Sequence, residues 1–524
     1  MEKAQKEVSQ LFDDIRTVPE ETNLQDLKFL KLIIKETLRV HPSLPVIPRE
    51  CRKRCEVHGY GIDVKSKVLI NEWAIGRDPS YWNEAERFYP ERFIDVSADF
   101  KGGSFEFIPL GAGKRMCLGI SFATTYIEFT LAQMLYHFDW KLADGLKPEN
   151  LDMIESVGGT LKRKQGLELI PISYRSLLLP SFPVLITILL FISIFWTRTK
   201  LIGSNDSSPN PPPGPMKLPF IGNIHQLLHP LFHHRLRDLA KKFGPVMQLQ
   251  IGEVPTVIIS SSEAAKEVLK TQEINFVDRP HLLAESILFY NRKGFSFAPY
   301  GDYWRELRKI SILELLSAKR VRSFKSIREE EVSDFIGSIY AKEGSPINLS
   351  RMIFSLGNGI IARASIGKKC KTQEAFLPIV DELSLALGGL NMADVFPSSR
   401  FFRMVSRVRS RLERMHREAD EMLDSIISER RANSGLASKM AKNEAEDLLG
   451  ALLNLQDHGN LESQLTTSSI KATILEMFTG GGETSSTALE WAMSELIKNP
   501  RVMEKAQKEV RQVFDNIRNL KYVF

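Results

Sequence analysis

Cys117 stands in FIPLGAGKRMCLGI, residues 107–120, and the residues around it suit the holding of one thiolate against something planar. Gly111 and Gly113 let the backbone turn tightly and approach a flat ligand closely. Lys114 and Arg115 put positive charge beside the sulfur, which favours the thiolate. Gly119 follows, and the chain turns into an apolar helix whose first amides point back at the sulfur. Two other uses of the cysteine stay open on these residues alone. A nucleophilic cysteine wants a paired histidine, and a buried structural cysteine has no need of the glycines. GAGK has the flavour of a phosphate loop, but the GxxxxGK[ST] spacing is absent.

Three further stretches carry groups able to do chemistry. In KETLR, Glu36 and Arg39 lie three apart on one helix face and can pair. In GGGET, residues 480–484, three glycines interrupt a helix at up to about 1 kcal/mol each. That weakening is tolerable where a groove is useful, and Glu483 and Thr484 stand beside it. In YWRELRK, Trp304 and Arg308 share a face four residues apart. Arginine supplies the charge-assisted, geometrically fixed contact that a carboxylate needs.

The Cys117 loop resembles the haem-binding loop of cytochromes P450, whose cysteine thiolate is the axial iron ligand. The pattern FGxGxRxCxG is matched at Gly111, Gly113, Arg115, Cys117 and Gly119, and departs at Leu110, where phenylalanine is usual. Glu36, Arg39 and Arg92 (in PERF) look like the family's Glu-Arg-Arg structural triad. GGGET is similar to its oxygen-binding groove, with Glu483 and Thr484 as the acid–alcohol pair that relays protons. Trp304, Arg308, Arg115 and Arg49 (in PRE) resemble the residues that bind the haem propionates. PPPGPMKLPFIGNIHQL, FVDRP and PYGDYWRELRK look like the large plant A-type group of microsomal forms.

The resemblance implies a mainly α fold with small β-sheets and a haem b (iron protoporphyrin IX) cofactor on Cys117. It implies that Cys117 donates electron density to iron and promotes O–O cleavage. The expected reaction is hydroxylation of a small apolar plant metabolite with O2, with electrons from an NADPH-cytochrome P450 reductase. Substrate-facing candidates by position are Val46, Ile47, Val157, Gly158 and Phe295. The expected place is the endoplasmic reticulum membrane, with the catalytic part facing the cytosol. A zinc or thiol enzyme at Cys117 is the poorer fit, because no histidine is spaced to partner it. His41 and His58 read as loop residues.

The chain of 524 residues exceeds one compact core, so more than one lobe is expected. A net charge of +6 fits a membrane surface or an acidic partner and does not argue for nucleic acid. Cys51, Cys55, Cys117 and Cys370 are too few for a disulfide framework, which points to a reducing compartment. Cys51 and Cys55, in CRKRC, lack two further ligands and read as free thiols on a basic turn. The amino terminus, MEKAQKEV, is charged and helical rather than a signal peptide.

An uncharged segment lies mid-chain instead. LLLPSFPVLITILLFISIFW, residues 177–196, would make a helix of about 30 Å, enough to cross a bilayer. The expected division is a first module 1–176, a membrane segment 177–198, a Pro-rich hinge 199–215, and a second module 216–524. Within these, helices are expected near 23–40 and 118–138, an extended piece at VLINEWAIG, and a long helix ending at Asn499-Pro500.

The order of these parts is unusual. In cytochromes P450 the anchor, hinge, Trp-Arg helix, oxygen helix, Glu-Arg helix and Cys loop follow one another, and here the last two come first. Moreover, MEKAQKEVSQLFDDIR (1–16) returns as MEKAQKEVRQVFDNIR (503–518), with thirteen of sixteen positions identical. A solenoid would show its unit more often. The expectation is a carboxy-terminal part preceding an amino-terminal part, as though two tandem gene copies were joined. A circular permutation is the rival, and a non-catalytic membrane-tethered fusion with idle or absent haem is the alternative product. If 177–196 spans a bilayer, Cys117 and Thr484 fall on opposite sides. If it lies in the interface or turns back at Pro180 and Pro183, the halves can meet.

Overall fold

The computed structural model describes residues 20–96, 98–174, 211–367, 382–383, 386–388, 391–399, 407–437, 447–459 and 465–521. The first copy of the repeated sequence, the apolar segment 177–196 and Cys370 lie outside them. Among the described residues, no helix is long and apolar enough to cross a membrane.

The chain is mainly helical with small sheets, as expected. After a 3-10 turn at Glu21–Asp26 comes α1 (Lys28–Val40), later than the sequence suggested. Short strands follow: β1 (Ile47–Glu50), β2 (Cys55–Val57), β3 (Tyr60–Ile62) and β4 (Lys67–Ile70). The extended piece expected through VLINEWAIG stops at Ile70. Asn71 then accepts a hydrogen bond from the Ala74 amide and starts α2 (Glu72–Ile75), because a side-chain acceptor there satisfies an otherwise orphaned helix amide. The Cys loop leads into α3 (Ile120–His137), and β5 (Phe138–Leu142), β6 (Glu155–Val157), β7 (Leu161–Arg163) and β8 (Glu168–Ser173) close this part.

Beyond residue 210 come α4 (Phe232–Phe243), the hairpin β9 (Val246–Ile251) and β10 (Val254–Ile259), and α5 (Asp302–Ile310). Then follow α6 (Lys325–Tyr340), β11 (Ile347–Asn348), α7 (Leu349–Ile366), α8 (Arg407–Ala437), α9 (Leu448–His458), α10 (Thr467–Lys498) and α11 (Pro500–Lys521). Helix α10 is capped by the Thr466 side chain and stops at Asn499, as its pattern predicts.

The two stretches on either side of 175–210 share their sheets and their core. The four-stranded sheet runs β1-β4-β10-β9, with β4 parallel to β10 in the register Val68↔Val257. A second sheet places β8 between β5 and β11. Such ladders exist only if both stretches lie side by side. One hydrophobic cluster contains Leu30, Ile33, Phe129 and Leu135 together with Ile353, Leu475, Leu496 and Phe514. At about 25 cal/mol per Å² of apolar surface removed from water, this shared burial is what drives the docking.

The second copy of the repeat forms most of α11, and its apolar face fits a groove beside α1 and α3. Ala506, Val510 and Phe514 are fully buried there. Glu509 accepts the Phe29 and Leu30 amides at 2.7 and 2.9 Å, so its carboxylate caps the positive end of α1.

Candidate functional site: a thiol beside a cluster of guanidiniums

The Cys117 loop is held by the stretch before α5. Arg115 donates to the carbonyls of Val277 (2.8 Å), Ser296 (3.3 Å) and Ala298 (2.6 Å). Trp304, buried at the start of α5, lies under both Arg115 and Arg308, with the cations 4.3 and 5.3 Å from ring centroids. Its indole N–H donates to the Phe295 carbonyl at 3.0 Å. Arg308 reaches back to the Met116 carbonyl at 2.9 Å, next to the sulfur. Gly113 has φ +70°, a left-handed conformation that a side chain resists, and a Cβ there would collide with the Leu269 carbonyl.

Cys117 is open to solvent by accessible area although protein surrounds it. Burial pushes its thiol pKa up, while the Gly119 amide and the guanidiniums of Arg308 and Arg279 pull it down. The sequence reading placed Lys114 and Arg115 as the charges acting on the sulfur. In the structure Lys114 pairs with Glu273 at 3.1 Å and Arg115 is spent on backbone carbonyls. Burial therefore outweighs the charges, and the thiol is not activated by its sequence neighbours.

Four arginines converge here: Arg49, Arg115, Arg279 and Arg308. Burial lowers the pKa of Arg115 to about 9, with Arg279 adding repulsion, and that of Arg308 to about 10. Arg49 is lowered too, by burial and then by Arg279 and Arg115. Nearby Glu72 is forced well above the carboxylate range by burial, and neither of its oxygens has a partner. Asp278 lies 3.8 Å from Arg115 but also pairs with Arg52 at 2.8 Å. Arg279 Nε is buried without an acceptor. The four guanidiniums thus outnumber the carboxylates paired with them, and a ligand bearing carboxylates would add to the balance. A haem fits this donor set: a sulfur ligand with guanidiniums short of carboxylates beside it. Arg279, in the FVDRP stretch, is the member of this cluster that sequence reasoning missed.

Glu476 of α10 accepts the Ser296 amide at 2.9 Å, from the segment that Arg115 also grips. Ten residues on, Ser486 meets Tyr126, which lies about 9 Å along α3 from Ile120. These anchors are about 15 Å apart along α10. A Cβ on Gly480 would meet nothing within 4 Å, whereas one on Gly481 would strike Ile361 at 2.7 Å and one on Gly482 would strike Asn358 at 2.5 Å. Of the three glycines, Gly480 is the one that faces open space.

The remaining candidates fall as follows. Thr484 Oγ1 donates to the Gly480 carbonyl at 2.6 Å, and the Thr484 carbonyl accepts from Ser43 at 2.8 Å. Glu483 is held by Lys162 at 2.7 Å and Thr160 at 3.1 Å, so its carboxylate is already paired. Glu36 takes two bonds from Arg39, both 2.8 Å, one from Arg92 at 3.0 Å and one from the Tyr89 amide at 2.8 Å. Arg39 also grips the carbonyls of Gly76, Ala85 and Arg87. This buried cluster ties α1 to the segment 76–92. Ile47 is buried in the cluster with Val68 and Val257, and Val46 packs against the cluster that contains Met247 and Leu249. Phe295 packs on the main core. Gly158 donates to the Thr160 carbonyl at 3.1 Å, and the Val157 side chain lies outside the described set.

Cys51 and Cys55 are free thiols, as expected, and Cys51 is fully buried with its sulfur 4.0 Å from that of Cys55. His41 lies in the loop just after α1, as expected, but is buried there and stacked on Trp491 at 3.9 Å.

The family model for cytochrome P450 matches residues 1–169 and 212–523. This chain belongs to the cytochrome P450 family. It is 46% identical to melianol synthase of Azadirachta indica, over 66% of this chain and 70% of that one. It is 48% identical to desmethyl-deoxy-podophyllotoxin synthase of Sinopodophyllum hexandrum, over 64% and 65%. With premnaspirodiene oxygenase of Hyoscyamus muticus it shares 41%, over 65% and 69%. A zebra fish cytochrome P450 structure superposes at TM-score 0.38 and 20% identity, over 48% of this P450 and 56% of its own chain.

Proposed function

We propose that this P450 is a haem-thiolate monooxygenase that hydroxylates a small apolar plant metabolite, drawing electrons from an NADPH-dependent P450 reductase. The observation that carries it is Cys117 set beside the guanidiniums of Arg279 and Arg308, with Arg49 and Arg115 in the same cluster. Haem b, when bound, supplies the oxygen activation. In this reading Cys117 is the iron ligand, deprotonated on coordination as metal-bound thiols are. Arg49, Arg115, Arg279 and Arg308 hold the propionates, and Trp304 positions two of them through its ring face.

Thr484 stands one turn beyond Gly480 and serves as the hydroxyl that passes a proton towards the oxygen side. Glu483 is its carboxylate partner, held by Lys162 until needed. Val46, Ile47, Val157, Gly158 and Phe295 remain the substrate-side candidates by family position. The printed activities of the relatives, melianol synthase and premnaspirodiene oxygenase, support an apolar substrate of terpenoid type. Attachment to the endoplasmic reticulum membrane through residues 177–196, with the catalytic part facing the cytosol, completes the proposal.

We further infer that the parts stand in permuted order. Relatives that align over about two thirds of both chains, and a family match in two blocks, are what two exchanged blocks would give. The packed copy at 503–518 and its repeat at 1–16 favour joined tandem copies over a clean circular permutation. The same duplication is what favours the rival product, a membrane-tethered fusion with idle or absent haem.

The reduced carbon-monoxide difference spectrum of the purified full-length chain separates the two. Monooxygenase competence requires the red-shifted band of thiolate-ligated haem, lost in Cys117→Ala. A chain that takes up no haem, or one whose band survives Cys117→Ala, overturns the proposal.

A further inference from the structure

A cluster of ligating side chains lies away from the Cys117 site, where Glu155 on β6 meets the first turn of α4. His233 Nε2 and His234 Nε2 both face Glu155 Oε2, at 3.1 and 2.8 Å. Ligand atoms of these three residues lie within 4.8 Å of one another. The other carboxylate oxygen is held by Trp73 Nε1 at 3.3 Å. His41 bonds Glu495 through Nε2 at 2.8 Å, which turns its Nδ1 towards Glu155 Oε1 at 3.6 Å. That nitrogen is buried and has no hydrogen-bond partner. Both outer imidazoles are clamped by indoles: His41 lies flat on Trp491 and His234 stacks on Trp73 at 4.0 Å.

We propose that Glu155, His233 and His234 form a site for a divalent transition metal, zinc above all. Two imidazoles and one carboxylate are a donor set suited to zinc, whereas calcium and magnesium want more oxygens. Bonds of about 2.0–2.1 Å place tetrahedral ligands about 3.3 Å apart, so the spacings of Glu155 to the two imidazoles need only small adjustments. Trp73 on Glu155 is an outer partner of the kind that orients metal ligands. Arg77 and Arg237 pair with Glu86 at 3.1 and 2.9 Å and lie over the face of Trp73. Glu155 precedes residues 175–210, and His233 and His234 follow them. A metal here would staple the two stretches whose docking builds the Cys117 site.

The test uses the full-length haem-loaded chain, dialysed against chelator and titrated with zinc chloride. Bound zinc is measured by mass spectrometry of the metals and by competition with a chromophoric chelator. The expected result is one tightly held zinc per chain and a Tm raised by a few degrees, with no shift from magnesium. His234→Ala removes a half-exposed ligand that the fold can spare, and should weaken zinc binding by about tenfold or more. No zinc on the wild-type chain, or zinc held equally well by His234→Ala (as the Cys51–Cys55 pair would hold it), overturns the site.

Discussion

Replacing Glu21 by alanine tests the docking on which the Cys117 site depends. Glu21 lies just before α1, and its carboxylate takes two parallel bonds of 2.7 Å each from Nε and Nη2 of Arg328 on α6. Arg328 is fully buried, and its Nη1 already lacks an acceptor. Glu21→Ala therefore leaves a guanidinium in the core with no counter-charge, a loss of about 3–5 kcal/mol when one partner of a buried pair is removed. That is a large share of the 5–15 kcal/mol that stabilises an ordinary fold. Removing the cation as well, in Glu21→Ala/Arg328→Met, abolishes the uncompensated charge and should recover at least half of the loss. Urea unfolding followed by tryptophan fluorescence reads both, and the effect should persist in high salt because buried pairs are poorly screened. A Glu21→Ala chain within about 0.5 kcal/mol of wild type would mean that Arg328 reaches water. The two stretches would then not be packed as described.

Further outcomes follow from the same contacts. Gly480→Ala should stabilise the chain by up to about 1 kcal/mol, since its Cβ enters open space, while Gly481→Ala and Gly482→Ala should destabilise it, as thermal melts of the three variants would reveal. Burial raises the Glu476 pKa to about 8, so the folded chain keeps a proton that the unfolded chain loses near 4.5. That contribution to stability is present below pH 4.5 and drains away as pH climbs through 8, by a few kcal/mol. Glu476→Gln should flatten a Tm-against-pH profile over this window, and an unchanged profile would count against the burial argument. Gly113→Ala should cost about 1–2 kcal/mol for its left-handed backbone, with a further penalty against Leu269, and should lower haem retention measured by absorbance.

The sequence made the chemistry legible because local spacing dictates it. The glycines around Cys117, the i,i+3 pairing of Glu36 with Arg39, and Trp304 four residues before Arg308 are all set within a turn or two of backbone. So was the length of α10, whose apolar periodicity and Asn499-Pro500 stop fixed its course. The repeat of 1–16 at 503–518 needed no coordinates either.

Only the tertiary structure decided what those groups face. Lys114 and Arg115 look like activators of Cys117 in the sequence, yet Glu273 and a run of carbonyls take them up. The charges that reach the sulfur come from Arg279 and Arg308, distant in the chain. His41 reads as a loop residue and is one, but only the tertiary structure stacks it on Trp491 and brings Glu155 beside it. Sequence spacing governs contacts between neighbours along a helix or turn. Burial and long-range electrostatics depend on which surfaces the whole chain brings together, and that is settled only when the two stretches share a core.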